Sequence, residues 1–94
     1  MRDDDFEWDD AKARTNAARH RVTFEAARDV FDDPFATGWL DDREPYGEVR
    51  YVTPGAVNGR LLSVSYTIRN DRIRIISARG ADPREHRRYH EQDT

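Results

Sequence analysis

The stretch RLLSVSYTIRNDRIRIISAR at residues 60–79 decides the fold. Its first half alternates between larger apolar residues and small polar residues, which is the period of a β-strand with one buried face. The residues Arg69, Asn70 and Asp71 then predict a tight turn, after which alternation resumes. The stretch therefore predicts a β-hairpin with strands at residues 60–68 and 72–79.

Two further strands are predicted before this hairpin, at residues 35–40 and 48–53. A polar loop that contains Pro45 separates them. Residues 54–59 are rich in turn formers, and their last two, Asn58-Gly59, are a strong signal for chain reversal. Because antiparallel strands can be joined by such short connections, the four strands predict one antiparallel sheet.

Helices are predicted before the sheet. Residues 11–20 are rich in alanine and free of glycine and proline, and an aspartate at position 9 or 10 can cap this segment. Thr23 can cap a second helix, in which apolar residues recur at helical spacing. That helix is expected to end before Pro34, since the residue before a proline is pushed out of the helical region.

The chain closes with a third predicted helix. Asp82, Pro83 and Glu85 stand in the order of an N-cap, a first-turn proline and a capping-box glutamate. The predicted fold class is therefore α+β, with two N-terminal helices, a four-stranded antiparallel sheet and a C-terminal helix.

Length and composition limit the class of protein. The 94 residues predict a single domain, 1–94, with flexible ends at residues 1–5 and 91–94. The absence of cysteine excludes disulfides, thiolate nucleophiles and cysteine-ligated zinc. No apolar run approaches the length of a membrane span and no signal-like segment opens the sequence. We therefore expect a cytoplasmic protein with no membrane association.

Positive charge is concentrated in the second half of the sequence. Residues 1–42 carry a net charge of −6 and residues 43–94 a net charge of +3, which together give the overall −3. Only one of the 16 basic residues, Lys12, is a lysine. Arginine presents a planar fork of donors that matches phosphate oxygens. A ligand that bears phosphates is therefore expected on the second half.

Six arginines lie on or beside the three long predicted strands. Side chains of like parity share one face of a strand, so several guanidinium groups can gather on one surface. Such a surface would bind RNA phosphates and stabilise a phosphorane-like transition state. The alternative is a solvated sheet face on which the arginines pair with acids such as Glu48 and Asp71. The six are Arg50, Arg60, Arg69, Arg72, Arg74 and Arg79.

Lys12, Asn16 and His20 are spaced four residues apart and form a polar stripe on one face of the first predicted helix. The stripe either touches a ligand or fixes the helix to a neighbouring loop by hydrogen bonds. Glu48, Glu85 and Tyr66 are further acid–base candidates, although the Glu48 carboxylate beside Arg50 is expected to be a poor base.

No cofactor or metal site is predicted from the sequence. His86 and His90 have the spacing of metal ligands, but no HExxH pattern or third ligand accompanies them, which favours a solvated helix face. The paired aspartates match no calcium-binding loop and are better explained by helix capping and solubility.

Three separated blocks resemble the BrnT toxins of bacterial type II toxin–antitoxin systems. They are FEWDDAKARTNAARHRVTFEAARDVFDDP at 6–34, YGEVRYVTPG at 46–55 and RIRIISARGADPREHRRY at 72–89. The resemblance implies a RelE/ParE-like fold and a ribonuclease that inhibits translation. It also implies a BrnA-type antitoxin with a ribbon-helix-helix domain, through which alone the toxin would contact operator DNA. The sequence departs from the family at Gly80, where such sequences often carry a lysine, and at Pro54.

The resemblance leads to a mechanistic hypothesis of metal-independent endoribonuclease cleavage, in which the RNA 2′-hydroxyl attacks the phosphate. The expected catalytic residues are Arg50, Arg74 and Arg79 for phosphate stabilisation, with His20 or Glu48 for proton transfer. The expected RNA-binding residues are Arg60, Arg69 and Arg72.

Other functions remain open from the sequence. One alternative is a catalytically inactive toxin homologue that binds the antitoxin and serves operon autoregulation. A gyrase poison on a related fold is a third possibility. A toxin homodimer within a toxin–antitoxin heterotetramer is also compatible with a small domain that buries a limited core.

Overall fold

A computed structural model describes residues 1–91, which form three α-helices and a five-stranded sheet. The flexibility predicted for residues 91–94 stays a prediction, and residues 92–94 lie outside the described residues. The strands are β1 (Phe6–Glu7), β2 (Trp39–Asp41), β3 (Arg50–Val57), β4 (Arg60–Arg69) and β5 (Arg72–Gly80). The helices are α1 (Asp10–His20), α2 (Phe24–Asp29), which a 3₁₀ turn at Val30–Asp32 continues, and α3 (Pro83–His90).

The strand order in the sheet is β1-β5-β4-β3-β2. Strands β2 to β5 are antiparallel, as predicted, but β1 pairs in parallel with β5 through Phe6↔Ile73 and Glu7↔Arg74. The prediction of a four-stranded antiparallel sheet was therefore wrong in two respects: the sheet has five strands among the described residues, and it is mixed because β1 is parallel to β5. Phe6-Glu7-Trp8 has a strand-like pattern, but the residues with which it pairs in the sheet lie far away in the sequence.

β3 extends further than predicted. The turn begins only at Asn58-Gly59, where both residues have positive φ, and residues 54–57 continue the strand. β2 pairs only with the first three residues of β3, so Pro54 lies where the outer edge of β3 has no neighbouring strand. A proline is tolerated at such an edge because its missing N–H leaves no ladder bond unmade. Farther along the strand, the backbone N–H of Ala56 donates to Asp33 Oδ2 at 2.7 Å.

The predicted helix caps are confirmed. The side chain of Asp9 accepts a hydrogen bond from the backbone N–H of Lys12, and that of Thr23 accepts one from Ala26. Asp82 and Glu85 form a reciprocal capping box at the start of α3. These caps were predictable because each depends only on residues three positions apart.

The core lies between the sheet and the N-terminal helices. Trp8 packs edge-on against Phe24, with ring centroids 5.8 Å apart. Helix α3 lies on the opposite face, because Glu85 bonds to Ser63 and Arg79, which alternate with core residues along their strands. The buried cluster consists of Trp8, Val22, Phe24, Ala27, Val30, Leu62, Val64, Ile75 and Ala78.

The segment before β1 contacts the rest of the molecule. The N-terminal amine donates to the carbonyl oxygen of Trp8 at 3.0 Å, and Arg72 Nε donates to the carbonyl oxygen of Asp3 at 2.7 Å. The Asp3 carboxylate also lies 2.8 Å from Arg28 Nη1. The flexibility expected for residues 1–5 stays a prediction.

Asp41 anchors the loop that follows β2. Its buried carboxylate accepts hydrogen bonds from Arg43 Nε at 2.8 Å, from Arg43 Nη2 at 2.9 Å and from the Tyr46 hydroxyl at 3.1 Å. The hydrogen bonds from Arg43 have the largest effect and outweigh burial, so they lower the pKa of Asp41 to about 2.

This lowered pKa makes stability depend on acidity. The unfolded chain binds the Asp41 proton more readily, so the stabilising contribution is present above about pH 4 and is lost as the pH falls through about 2. Its full size is about 2 kcal/mol. We expect the fall in the free energy of unfolding between pH 5 and pH 2 to be smaller in Asp41→Asn by up to that amount. Urea denaturation at both values measures it, and equal falls in parent and variant would contradict the assignment.

Candidate active site

One edge of β5 pairs with β4, and the side chain of Asn16 covers part of the other edge. β1 pairs only with Ile73 and Arg74, and beyond them α1 lies along the edge. The Asn16 amide there donates from Nδ2 to the Ala78 carbonyl oxygen at 2.8 Å and accepts from the Ala78 N–H at 3.1 Å. Nδ2 also donates to the Val22 carbonyl oxygen at 2.9 Å. For Asn16, the interpretation as a residue that fixes the helix to a loop is therefore correct.

The other two members of the polar stripe line a groove between α1 and β5. The groove has a volume of about 290 Å³ and contains Lys12 and the half-buried His20. Ile76 and Ser77 of β5 lie across from them. We call this feature the α1–β5 groove; its lining residues are Ala11, Lys12, Thr15, Asn16, Arg19, His20, Ile76 and Ser77.

A β-bulge in β5 lies at this groove. Ser65 pairs with Ser77 and Tyr66 with Ile75, so Ile76 is an extra residue without a partner in the ladder. Bulges are common beside active sites because they redirect the side chains that follow.

The bulge determines which arginines share a face of the sheet. Arg74 and Arg79 have opposite parity, so a regular strand would place them on opposite faces. Ile75 and Ala78 are both buried in the core, so the neighbouring Arg74 and Arg79 both point away from it. The two arginines are nevertheless about 15 Å apart along the strand, and the α1–β5 groove lies between their positions.

Arg74 is held by a buried carboxylate. Its Nη1 donates to Glu7 Oε2 at 2.7 Å, and Glu7 is only 5% exposed. The nearest further cation is Arg2, whose Nη2 lies 4.0 Å from the same oxygen. The other oxygen, Glu7 Oε1, is buried and has no hydrogen-bond partner among the described residues. Within residues 1–91, Arg74 uses only one of its donor nitrogens.

Arg79 is more completely engaged. Its Nη1 donates to Glu85 Oε1 at 2.7 Å and its Nη2 to Glu85 Oε2 at 3.2 Å, while Nη1 also donates to the Gly80 carbonyl oxygen. The Ser63 hydroxyl donates to Glu85 Oε2 at 2.8 Å. The buried Glu85 carboxylate thus joins α3 to β4 and β5, and Arg79 is part of that junction.

A second arginine cluster lies at the other end of the sheet. Arg50 Nε donates to Glu48 Oε2 at 3.3 Å and Arg69 Nη2 donates to Glu48 Oε1 at 2.9 Å. The Arg50 guanidinium also stacks 4.1 Å from the centroid of the Tyr46 ring. Burial raises the pKa of Glu48, but hydrogen bonds from both arginines outweigh it and the pKa is lowered overall. A carboxylate of lowered pKa is a weak proton acceptor at neutral pH.

The remaining predicted RNA-binding residues are Arg72, at the start of β5, and Arg60 of β4, which lies near the end of β5. Arg72 is the cross-strand partner of Arg69. Arg60 is exposed and lies over Gly80, where an added Cβ would be 3.0 Å from Arg60 Nη2. This chain lacks the lysine that similar sequences often carry at position 80, but the Arg60 guanidinium lies close to Gly80.

The structure thus divides the predicted site residues into three groups. His20 lines the α1–β5 groove, and Arg79 and Arg60 lie at the Gly80 end of β5. The third group lies at the other end of the sheet, where Arg50 and Arg69 bind Glu48 and where β5 begins with Arg72 and Arg74. Sequence reasoning missed Glu7 and the role of Glu85 as carboxylate partners of arginines. The signal for Glu7 was a charged residue between two aromatic residues, Phe6 and Trp8.

Among residues 1–91, no group of three or more histidine, aspartate or glutamate side chains is placed to hold a metal ion. The rings of His86 and His90 stack with centroids 6.2 Å apart, and both residues are exposed. None of the described helices is both long and apolar enough to cross a membrane.

Comparison with known proteins identifies the family. No curated protein matches the chain significantly. A family model described as "Ribonuclease toxin, BrnT, of type II toxin-antitoxin system" matches residues 8–85, which is most of the chain and includes α1, the bulge in β5 and the start of α3. The chain therefore belongs to the BrnT family of ribonuclease toxins of type II toxin–antitoxin systems.

Proposed function

We propose that this toxin is a metal-independent endoribonuclease that cleaves RNA in the α1–β5 groove and thereby inhibits translation. Two observations support the proposal. An imidazole, His20, lines the α1–β5 groove, and Arg74, two residues before Ile76 of that groove on β5, retains free donors. A proton acceptor and a phosphate-binding group are the two requirements of cleavage by the RNA's own 2′-hydroxyl.

In the proposed reaction His20 takes the proton from the 2′-hydroxyl, whose oxygen forms a bond to the adjacent phosphorus. The bond between phosphorus and the 5′-oxygen breaks, and that oxygen takes up a proton from water. Arg74 stabilises the additional negative charge on the phosphorane through charge-assisted hydrogen bonds. The products are a 2′,3′-cyclic phosphate and a 5′-hydroxyl end.

His20 is a better candidate for proton transfer than Glu48. An imidazole exchanges protons readily near neutral pH, whereas two arginines lower the pKa of Glu48. Catalytic roles for Arg50 and Arg79 stay predictions, as does RNA binding by flanking arginines. The flanking set is Arg60, Arg69 and Arg72, all on β4 or β5.

Membership of a type II toxin–antitoxin family implies an antitoxin partner. We propose that this partner is a BrnA-type protein with a ribbon-helix-helix domain, that two toxins join two antitoxins in a heterotetramer, and that operator DNA is contacted through the antitoxin. The RelE/ParE-like fold and action in the cytoplasm, where translation occurs, belong to the same proposal.

Induction of the chain in bacterial cells tests this function. Without the antitoxin we expect growth arrest and accumulation of cleaved RNA, and co-expression of the antitoxin should restore growth. A matched culture that expresses His20→Ala should continue to grow. Continued growth at equal levels of the parent protein would contradict the proposal and favour the inactive, antitoxin-binding homologue.

A further inference from the structure

We propose that Glu7 is a positioning residue that presents the guanidinium of Arg74 to a phosphate of bound RNA. The proposal rests on the proposed function, because it concerns the arginine that is proposed there to bind the RNA phosphate. It assigns a role to a buried acid in β1 whose side chain is not needed to form the parallel pairing with β5.

The first observation is the way in which Glu7 holds Arg74. The two residues are directly paired in the parallel ladder, and one oxygen of Glu7 accepts one bond from Nη1. Among the described residues, the Nε and Nη2 atoms of Arg74 have no acceptor. These two nitrogens form one edge of the planar guanidinium, and such an edge can bind two phosphate oxygens at once.

The second observation is the contrast with Arg79. Glu85 binds Arg79 through both carboxylate oxygens and both terminal nitrogens, and it also accepts bonds from Ser63 and from the backbone N–H of Asp82. That arrangement satisfies the acid and occupies the arginine fork. The Glu7 arrangement does neither, so it leaves a cation that is fixed in place and able to bind an anion.

The third observation is the second oxygen of Glu7. Oε1 is buried without a hydrogen-bond donor among the described residues. An unsatisfied buried acceptor lowers stability, so stabilisation of the fold alone is a poor explanation for a glutamate at this position. Asp9 is a second acid whose charge acts on Arg74, but it is exposed and its carboxylate caps α1.

Affinity for RNA tests the proposal because two effects of Glu7→Gln have opposite signs. Removal of a negative charge beside a phosphate-binding arginine should by itself tighten RNA binding. If Glu7 positions Arg74, the same substitution should weaken binding by about 5- to 10-fold. The probe is a 2′-O-methyl oligonucleotide, which cannot be cleaved by 2′-hydroxyl attack, measured by fluorescence anisotropy. The control with the same charge change is Asp4→Asn, because Asp4 is an exposed residue just before β1.

A double-mutant cycle separates positioning from a general effect on the fold. Glu7→Gln should have no further effect on affinity in an Arg74→Gln background, because its effect passes through Arg74. Equal weakening in both backgrounds, or tighter binding by Glu7→Gln alone, would overturn the proposal. If Glu7→Gln does not fold, Glu7→Asp keeps the charge on a shorter side chain, and parental affinity in that variant would also overturn it.

The cycle does not depend on catalysis by the parent protein. A parent that fails to cleave RNA, together with a coupled cycle, would overturn the proposed reaction and support the role of Glu7. A parent that cleaves RNA, together with additive effects of the two substitutions, would overturn the role of Glu7 alone.

Discussion

Replacement of His20 by alanine is expected to lower kcat for RNA cleavage by about 100-fold or more, since positioned general acid–base groups contribute roughly 10²- to 10⁴-fold. His20 lines the α1–β5 groove and is half-buried at the last residue of α1. The side chain is not part of the buried core, so the fold should be retained.

Single-turnover cleavage of an RNA oligonucleotide measures this effect, with thermal unfolding as the check on the fold. His86→Ala is a matched control, because His86 is an exposed histidine on α3 at the opposite face of the sheet. It should retain parental activity. A His20→Ala variant with parental kcat would show that proton transfer occurs through another group.

Replacement of Glu85 by alanine is expected to lower the free energy of unfolding by about 3 kcal/mol. The substitution leaves Arg79 and the Ser63 hydroxyl without their carboxylate partner, and it removes the reciprocal half of the capping box. Arg79 is partly exposed, so water compensates for some of its loss. For a small domain with a total stability of roughly 5–15 kcal/mol, this is a large change.

Urea denaturation of the parent and Glu85→Ala proteins measures this loss. Glu44→Ala is the matched control, because Glu44 is exposed in the loop after β2, and it should change stability by less than about 0.5 kcal/mol. If Glu85→Ala lowered the free energy of unfolding by as little as Glu44→Ala does, the proposed role of Glu85 in joining α3 to β4 and β5 would be wrong. Loss of toxicity in an Arg79→Ala variant would report on catalysis only if that variant kept the parental free energy of unfolding, because Arg79 is also part of this junction.

The parts of the fold that depend on local pattern were predictable. The hairpin at residues 60–79 showed continuous alternation, and the caps of all three helices depended on side chains three residues from their partners. β1 was not predicted as part of the sheet, because its two residues pair with a strand more than sixty positions away. Pro54 suggested a turn, but the short β2 leaves that position at an open edge.

The candidate site was predictable in composition but not in arrangement. Sequence reasoning found Arg74 and Arg79, but the bulge at Ile76 that turns them to one face cannot be read from alternation alone. Their carboxylate partners were also missed, because Glu7 is 67 positions from Arg74 and Glu85 was already explained as a cap. Tertiary pairing therefore distinguishes Arg74, which has two donor nitrogens without an acceptor among the described residues, from Arg79, whose two terminal nitrogens are both bonded to Glu85.

The most direct test of the central claim is cleavage of RNA by the purified protein in the presence of EDTA. We predict cleavage of an RNA oligonucleotide into fragments with 2′,3′-cyclic phosphate and 5′-hydroxyl ends, and no cleavage of the same sequence carrying 2′-O-methyl groups. His20→Ala protein purified in the same way controls for contaminating nucleases. Cleavage that requires added Mg²⁺, or fragments with 5′-phosphate ends, would contradict the claim.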